Sequence, residues 1–408
     1  MKKIIKIVIA LFIFLNINFS WANINKSQNQ EKIQISEKIK LDNALQNFYK
    51  KLNKKFKDKN KRILVLEKIN FLIEKIKKWK KNKILNILNY LQINISEKIK
   101  QEKNSINTFQ ISLEIWKVSD LKLEKKEFKI WNKIYFILRS FTQNNKKKYL
   151  IVEDKTYKTY VILAKNILDI KDFSELYNNS SYKKNLDLVY KNREVWVRKW
   201  WKYLQNAWLK TWKNSWNNIY LTADFCPSSK KWFENKVIEK FMKKWNKNIA
   251  IAISSTWINK HQKDFQTLIN WNNSWKLNII WVNHTKTHKY NFSSDFSTTF
   301  ILTPWLNLED EILDVEKKLL EKAQIPSIFL RYPWLISNEK IFKKTIYKYW
   351  LIPLWSNTWL AKWKRIKDNS IILIHWNKNE PAWIKIFNKI LDKKNNFYYD
   401  NLNNSLIK

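Results

Sequence analysis

Five polar residues stand where apolar runs end. Asp224 follows NIYLTA, His284 and His288 follow LNIIWVN, Arg331 ends SIFLR and His375 ends SIILIH. Short, β-branched apolar runs read as buried strands, so each of these side chains is placed at or just past a strand end. Three of the chain's 4 histidines take part; the fourth, His261, opens a helical stretch and reads as a surface residue. Histidines four apart, as His284 and His288 are, have the spacing of a zinc-ligand pair. Alone, that is a weak signal. Joined to a carboxylate, a guanidinium and a third imidazole, it describes metal-assisted hydrolysis of an amide or ester. A divalent metal there, zinc or another, would polarise a carbonyl and activate a water. Asp224 could take the proton of that water, and His375 could protonate the leaving group. Arg331 would hold Asp224 ionised and oriented through a charge-assisted hydrogen bond.

The elements that must position these residues alternate in type. From residue 216 onward, strands are expected at NIYLTA, NIAIAIS, LNIIW, SIFLR, LIPL, SIILIH and FYYD. Helices are expected at NKVIEKFMKKW, KDFQTLIN, LEDEILDVEKKLLEKA, EKIFKKTIYKYW and IKIFNKILDKK. Alternating β and α units imply an α/β fold of parallel strands with helices outside, either a barrel or an open sheet. Chemistry in such folds gathers at the C-terminal strand ends, where the five residues are.

At this point the residues resemble the polysaccharide deacetylases of the carbohydrate esterase type, with the NodB-homology fold. TADFCPS (222–228) is similar to the family's T-F-D-D-G-P motif, HTKTH (284–288) to H-[ST]-x-x-H, RYP (331–333) to R-x-P and LIH (373–375) to L-x-H. The motifs occur in the family's order, and the resemblance covers residues 216–408. It implies a distorted (β/α) barrel with fewer than eight full units. It also implies Asp224 as catalytic base, His284 and His288 as metal ligands, and Thr285 as a hydrogen-bonding brace of the metal loop. Arg331 would orient Asp224, Leu373 and Pro333 would line the substrate pocket, and His375 would be the general acid. The implied activity is hydrolysis of N-acetyl or O-acetyl groups on a cell-envelope polysaccharide such as peptidoglycan or a chitin-like oligomer.

Two departures stand out. The family's second Asp, its third metal ligand, is Phe225 here. The metal would then have two histidines plus water, Asp224 or the Cys226 thiolate, and Cys226 reads first as a small buried residue. The family's Asp that supports the catalytic His has Asn357, in LWSNTW, near its place. Loss of metal through Phe225 gives an alternative, a glycan-binding protein that keeps the deacetylase fold. A third reading, a basic scaffold, would place the work in the N-terminal helices.

The rest of the chain sets the context. Residues 1–22 have a Lys-rich start, an apolar centre and a small-residue end, the form of a signal peptide or an uncleaved membrane anchor, so a secreted or cell-envelope protein is expected. Residues 23–105 are Lys-rich with Leu and Ile at helical spacing, 106–175 alternate as a small β-rich module, and 176–215 read as a polar linker. The formal net charge is +43. Lysine is spread along the chain without an aromatic-interleaved stripe, so no specific nucleic-acid partner is expected. One cysteine excludes an internal disulfide.

The composition also holds 24 Trp and no Gly. Ordinary usage is about 7% glycine, and turns and helix C-caps need the positive φ that glycine takes without steric cost. Many tryptophans stand beside Asn and Ser, as in NSWNN, INWNNSWK and LWSNTWL, where a turn would carry glycine. The expectation is that most are glycines in the native protein, from UGA codons read as glycine. Trp281 is expected at a strand exit, where an indole would crowd the two histidines.

Overall fold

The computed structural model describes residues 46–50, 66, 97 and 117–406, apart from 131, 168, 199–200, 207–216, 228–234, 244–246, 291–294, 377–379, 381 and 393–396. The chain divides into two compact units, Met1–Ile111 and Ser112–Lys408. In the first, residues 46–50, Leu66 and Glu97 are helical. The expected leader, 1–22, and most of the Lys-rich region, 23–105, lie outside the described residues. No helix among the described residues is long and apolar enough to cross a membrane.

The second unit opens with an antiparallel sheet of β1 (Val118–Ile130), β2 (Lys133–Gln143), β3 (Lys146–Glu153), β4 (Thr159–Leu163) and β5 (Lys171–Asp172), in the order β4-β3-β2-β1-β5. It packs on the parallel sheet that follows, and Phe136, Leu138 and Val152 join Ile328, Leu330 and Ile352 in one core. Arg139 crosses this junction fully buried, its guanidinium forked onto Glu316 at 2.7 and 2.9 Å. The stretch 176–215 carries more order than a linker would. Helix α1 (Ser181–Lys191) starts at Ser180, whose hydroxyl accepts the Lys183 N–H, and buries Tyr182, Leu186 and Val189. That i, i+4, i+7 face is masked in the sequence by the polar residues around it. A hairpin, β6 (Glu194–Arg198) with β7 (Trp201–Asn206), follows.

Then come β8 (Asn218–Phe225), α2 (Asn235–Lys243), β9 (Asn248–Ile253), α3 (Ser255–Lys260), α4 (Gln262–Asn273) and β10 (Asn278–Asn283). The chain continues through α5 (Leu308–Glu321), β11 (Pro326–Leu330), α6 (Glu339–Tyr347), β12 (Ile352–Pro353), β13 (Thr358–Trp359), β14 (Ile371–His375), α7 (Ala382–Asp392) and β15 (Tyr398–Tyr399). The strands order as β12-β11-β10-β9-β8-β14-β13, all parallel, with β15 beside the start of β8. This is a curled seven-stranded sheet whose end strands are not paired with each other, a distorted and incomplete (β/α) barrel.

Strand alternation gives the sheet two faces. Ile219, Leu221, Ala223 and Phe225 of β8, Ile251 and Ile253 of β9 and Ile372 and Ile374 of β14 pack under α2, α4 and α7 through Phe241, Phe265, Leu268, Trp383 and Phe387. This is the helix face. The other, which carries Tyr220, Ala250, Ala252, Ile280, Val282 and Ile371, is the site face.

The tryptophans fall into two groups. Trp275, Trp305, Trp334, Trp350 and Trp363 have φ between 52 and 65°, a region that costs a residue with a Cβ about 1–2 kcal/mol. Four of these, all but Trp350, are also exposed. Trp275 occupies the position after the Ser274 C-cap of α4, where glycine is the usual residue. Trp281 is different. The strand runs two residues past it to Asn283, its ring meets Phe265 edge-on at 5.5 Å, and its indole N–H donates to Gln324 Oε1 at 3.0 Å. It lies on the helix face, opposite in parity to His284, so the expected crowding of the histidine loop does not occur.

Candidate active site

Strand β8 delivers the first residues. Parity puts Thr222, Asp224 and Cys226 on the site face and turns Phe225 to the helix face, where its ring meets Trp257 at 4.4 Å. The residue in the family's third-ligand position therefore points away from the histidines, and Cys226 points toward them.

Arg331 follows β11 and is fully buried. Its Nη1 donates to Asp224 Oδ1 at 2.5 Å and to Thr222 Oγ1 at 2.8 Å, while Nη2 and Nε donate to the carbonyls of Trp355 and Leu354 at 3.2 and 3.4 Å. Thr222 can accept because its own hydroxyl proton goes to the Ile372 carbonyl at 2.6 Å. A buried carboxylate is tolerable only when paired and hydrogen-bonded in this way. The other carboxylate oxygen, Oδ2, lies 3.9 Å from His284 Nε2.

The histidine loop leaves β10. His284 donates Nδ1–H to the Arg331 carbonyl at 2.8 Å, which fixes the tautomer and leaves the Nε2 lone pair toward Cys226 Sγ, 3.5 Å away. His288 stands edge-on to His284, ring centroids 4.8 Å apart, and packs on Phe300. Both Thr285, at φ 67°, and His288, at φ 46°, are left-handed, so the loop holds strain at its two ends. Asn283 spans its base, accepting the Thr285 N–H at 3.0 Å and donating to the Ile312 carbonyl at 2.8 Å. Glu311 takes the Thr287 N–H and hydroxyl at 2.9 and 2.7 Å. The brace described thus comes from Asn283 and Glu311, with Thr285 contributing its backbone N–H.

His375 ends β14, in register with Asp224 on β8. Its Nδ1 lies 2.9 Å from Glu380 Oε2, and the same oxygen accepts the Trp359 indole N–H at 2.6 Å. Burial acts to lower the His375 pKa, but the Cys226 thiolate, Glu380 and Asp224 outweigh it and push it up to about 10. Burial likewise acts to lower that of His284, and Asp224 and Cys226 raise it on balance. For Cys226, burial works to raise the thiol, and His288 and His284 hold it well below its ordinary value. Leu373 sits two residues before His375 on the same face, opposite Thr222 and buried, and Pro333, also buried, begins a short turn just after Arg331. His261 lies elsewhere in the fold, stacked on Trp257 at the junction of α3 and α4.

Glu380 was not visible in the sequence as a site residue. It stands between β14 and α7, in the stretch NKNEPAW, with no spacing that ties it to His375. Asn357, near the expected place of the supporting acid, instead accepts the Ile371 N–H at 2.8 Å and holds the β13–β14 edge.

The arrangement fits a metal ion. Donor atoms of Cys226, His284 and His288 lie within 4.8 Å of one another. The Nε2 of His288 is buried with no hydrogen-bond partner, as a nitrogen kept for a cation would be.

No protein-family model matches the chain. Solved structures similar to part of it include a family 4 carbohydrate esterase from Bacillus anthracis, 19% identical over 46% of this chain and 81% of that one, with a TM-score of 0.34. A peptidoglycan N-acetylglucosamine deacetylase is 17% identical over 48% and 90%, with a TM-score of 0.34. A family 4 pseudoenzyme from Bacillus anthracis is 13% identical over 47% and 65%, with a TM-score of 0.33.

Proposed function

We propose that the chain is an exported, metal-dependent deacetylase that hydrolyses N-acetyl groups of a cell-envelope glycan. The observation that carries this reading is the single rim on which Asp224, Cys226, His284, His288 and His375 meet, with Arg331 beneath Asp224 and Glu380 behind His375. A divalent ion bound by the histidines supplies Lewis acidity to the amide carbonyl and lowers the pKa of water. Asp224 Oδ2, its partner oxygen held by Arg331, accepts a proton from the attacking water. His375, oriented by Glu380 through Nδ1, donates a proton to the leaving nitrogen. Leu373 offers an apolar wall beside the reacting centre. The leader-like residues 1–22 support export, and the even spread of lysine fits a polyanionic wall better than a specific nucleic acid.

The test is acetate release from an N-acetylglucosamine oligomer by the metal-loaded protein. His284→Ala should abolish it, and unchanged release would remove the metal assignment. Phe225 at the third-ligand position favours one other reading, a glycan-binding protein without catalysis. That protein would bind the oligomer, hold no stoichiometric zinc and release no acetate.

A further inference from the structure

Resting on the metal-site reading above, we propose that Cys226 is the third protein ligand, so that the centre is a Cys-His-His site rather than a carboxylate-His-His one. The reason is geometric. Alternation along β8 sends Phe225 into the helix layer and returns the chain to the site face at Cys226, two residues past Asp224. A donor at residue 226 therefore reaches the ground that residue 225 cannot.

The distances agree. In a tetrahedral zinc site, bonds of about 2.3 Å to sulfur and 2.0–2.1 Å to nitrogen place the two ligand atoms roughly 3.6 Å apart. Cys226 Sγ and His284 Nε2 are 3.5 Å apart. The third donor, from His288, completes a triangle no wider than 4.8 Å. His284 is already locked by the Arg331 carbonyl with Nε2 directed into that triangle, and the buried His288 Nε2 has no hydrogen-bond partner. Asp224, held through Oδ1 by Arg331, is not one of the three. It remains available as a base, whereas a carboxylate drawn onto the metal would not.

The substitution has chemical consequences. A thiolate is a softer and more electron-rich donor than a carboxylate, so the site should favour zinc or cadmium over manganese or magnesium.

Cobalt(II) added to the full-length protein tests the assignment without reference to turnover. Three protein ligands including sulfur predict one cobalt per chain, with a thiolate-to-cobalt charge-transfer band in the near ultraviolet beside the visible bands of a four-coordinate ion. Cys226→Ser should lose the charge-transfer band. Cys226→Asp should bind cobalt without it. Cobalt bound at one per chain to the unaltered protein with no such band would overturn the thiolate ligand while leaving the metal site standing. A protein that takes up no cobalt at all would overturn both. A band that persists in Cys226→Asp would also overturn the assignment.

Discussion

Two adjacent residues of β8 divide the molecule's work. Phe225 faces the helices, in contact with Trp257 and Trp376, and Cys226 faces the histidines. The same division runs along the strand. Ile219, Leu221 and Ala223 stabilise the helix layer, while Thr222 and Asp224 carry the Arg331 network. Aligned letter by letter, the motif at 222–228 has an apolar residue where a metal ligand is expected. Aligned by face, it has a ligand one position later. Alternation of period two, rather than residue identity at a motif position, decides which side chain can serve the site.

The contrast can be broken from either side. The largest effects on stability are expected from one buried residue on each face. Arg331→Met leaves the buried Asp224 carboxylate without its partner and should cost about 3–5 kcal/mol, read as a lower denaturant midpoint. Phe225→Ala, on the helix face, should cost about 3–5 kcal/mol through the cavity it leaves. It should keep one metal per chain, and a loss of metal without a loss of stability would show that the two faces are not separate.

Glu380→Gln is a smaller change with a pH signature. The folded His375 pKa, about 10, is above its ordinary 6.5, so this stabilisation is complete below pH 6.5 and lost as pH rises through 10. Burial works to raise the Glu380 pKa, but His375 and Trp359 bring it below its ordinary 4.5, so its contribution is present above pH 4.5 and lost as pH falls through the lowered value. The stability deficit of the variant should therefore be greatest between pH 4.5 and 6.5 and fade toward pH 10. A deficit that is flat with pH would mean Glu380 acts only by packing. The smallest effect is at a turn. Trp275→Gly should raise stability by about 1 kcal/mol, since glycine takes the left-handed φ of 60° without the cost borne by a Cβ. Mass spectrometry of the native peptides spanning 264–276 and 277–286 sharpens this point, because reading UGA as glycine predicts glycine at both 275 and 281 although only 275 is left-handed.

Much of the site was legible because its residues follow apolar runs. Asp224, His284, Arg331 and His375 each come at or just past a strand end, and parallel strands bring such ends together. What was not legible depends on loops and on face. Glu380 pairs with His375 from outside any strand or helix, where no periodicity marks it. Asn283 and Glu311 brace the histidine loop from a strand and a helix 28 residues apart. Cys226 looked like a small core residue because burial and ligation both favour cysteine, and only the position of the two histidines distinguishes them. In the fold, α1 was hidden by its polar flanks, and α3 and β13 are too short for a pattern to emerge.

The most direct measurement takes metal content and acetate release on one preparation of the full-length protein supplied with an N-acetylglucosamine oligomer. The account predicts one zinc-class ion per chain and acetate release that stops when the ion is chelated and returns when it is restored. Tight binding of the oligomer with neither metal nor acetate would contradict it and leave a glycan-binding protein in its place.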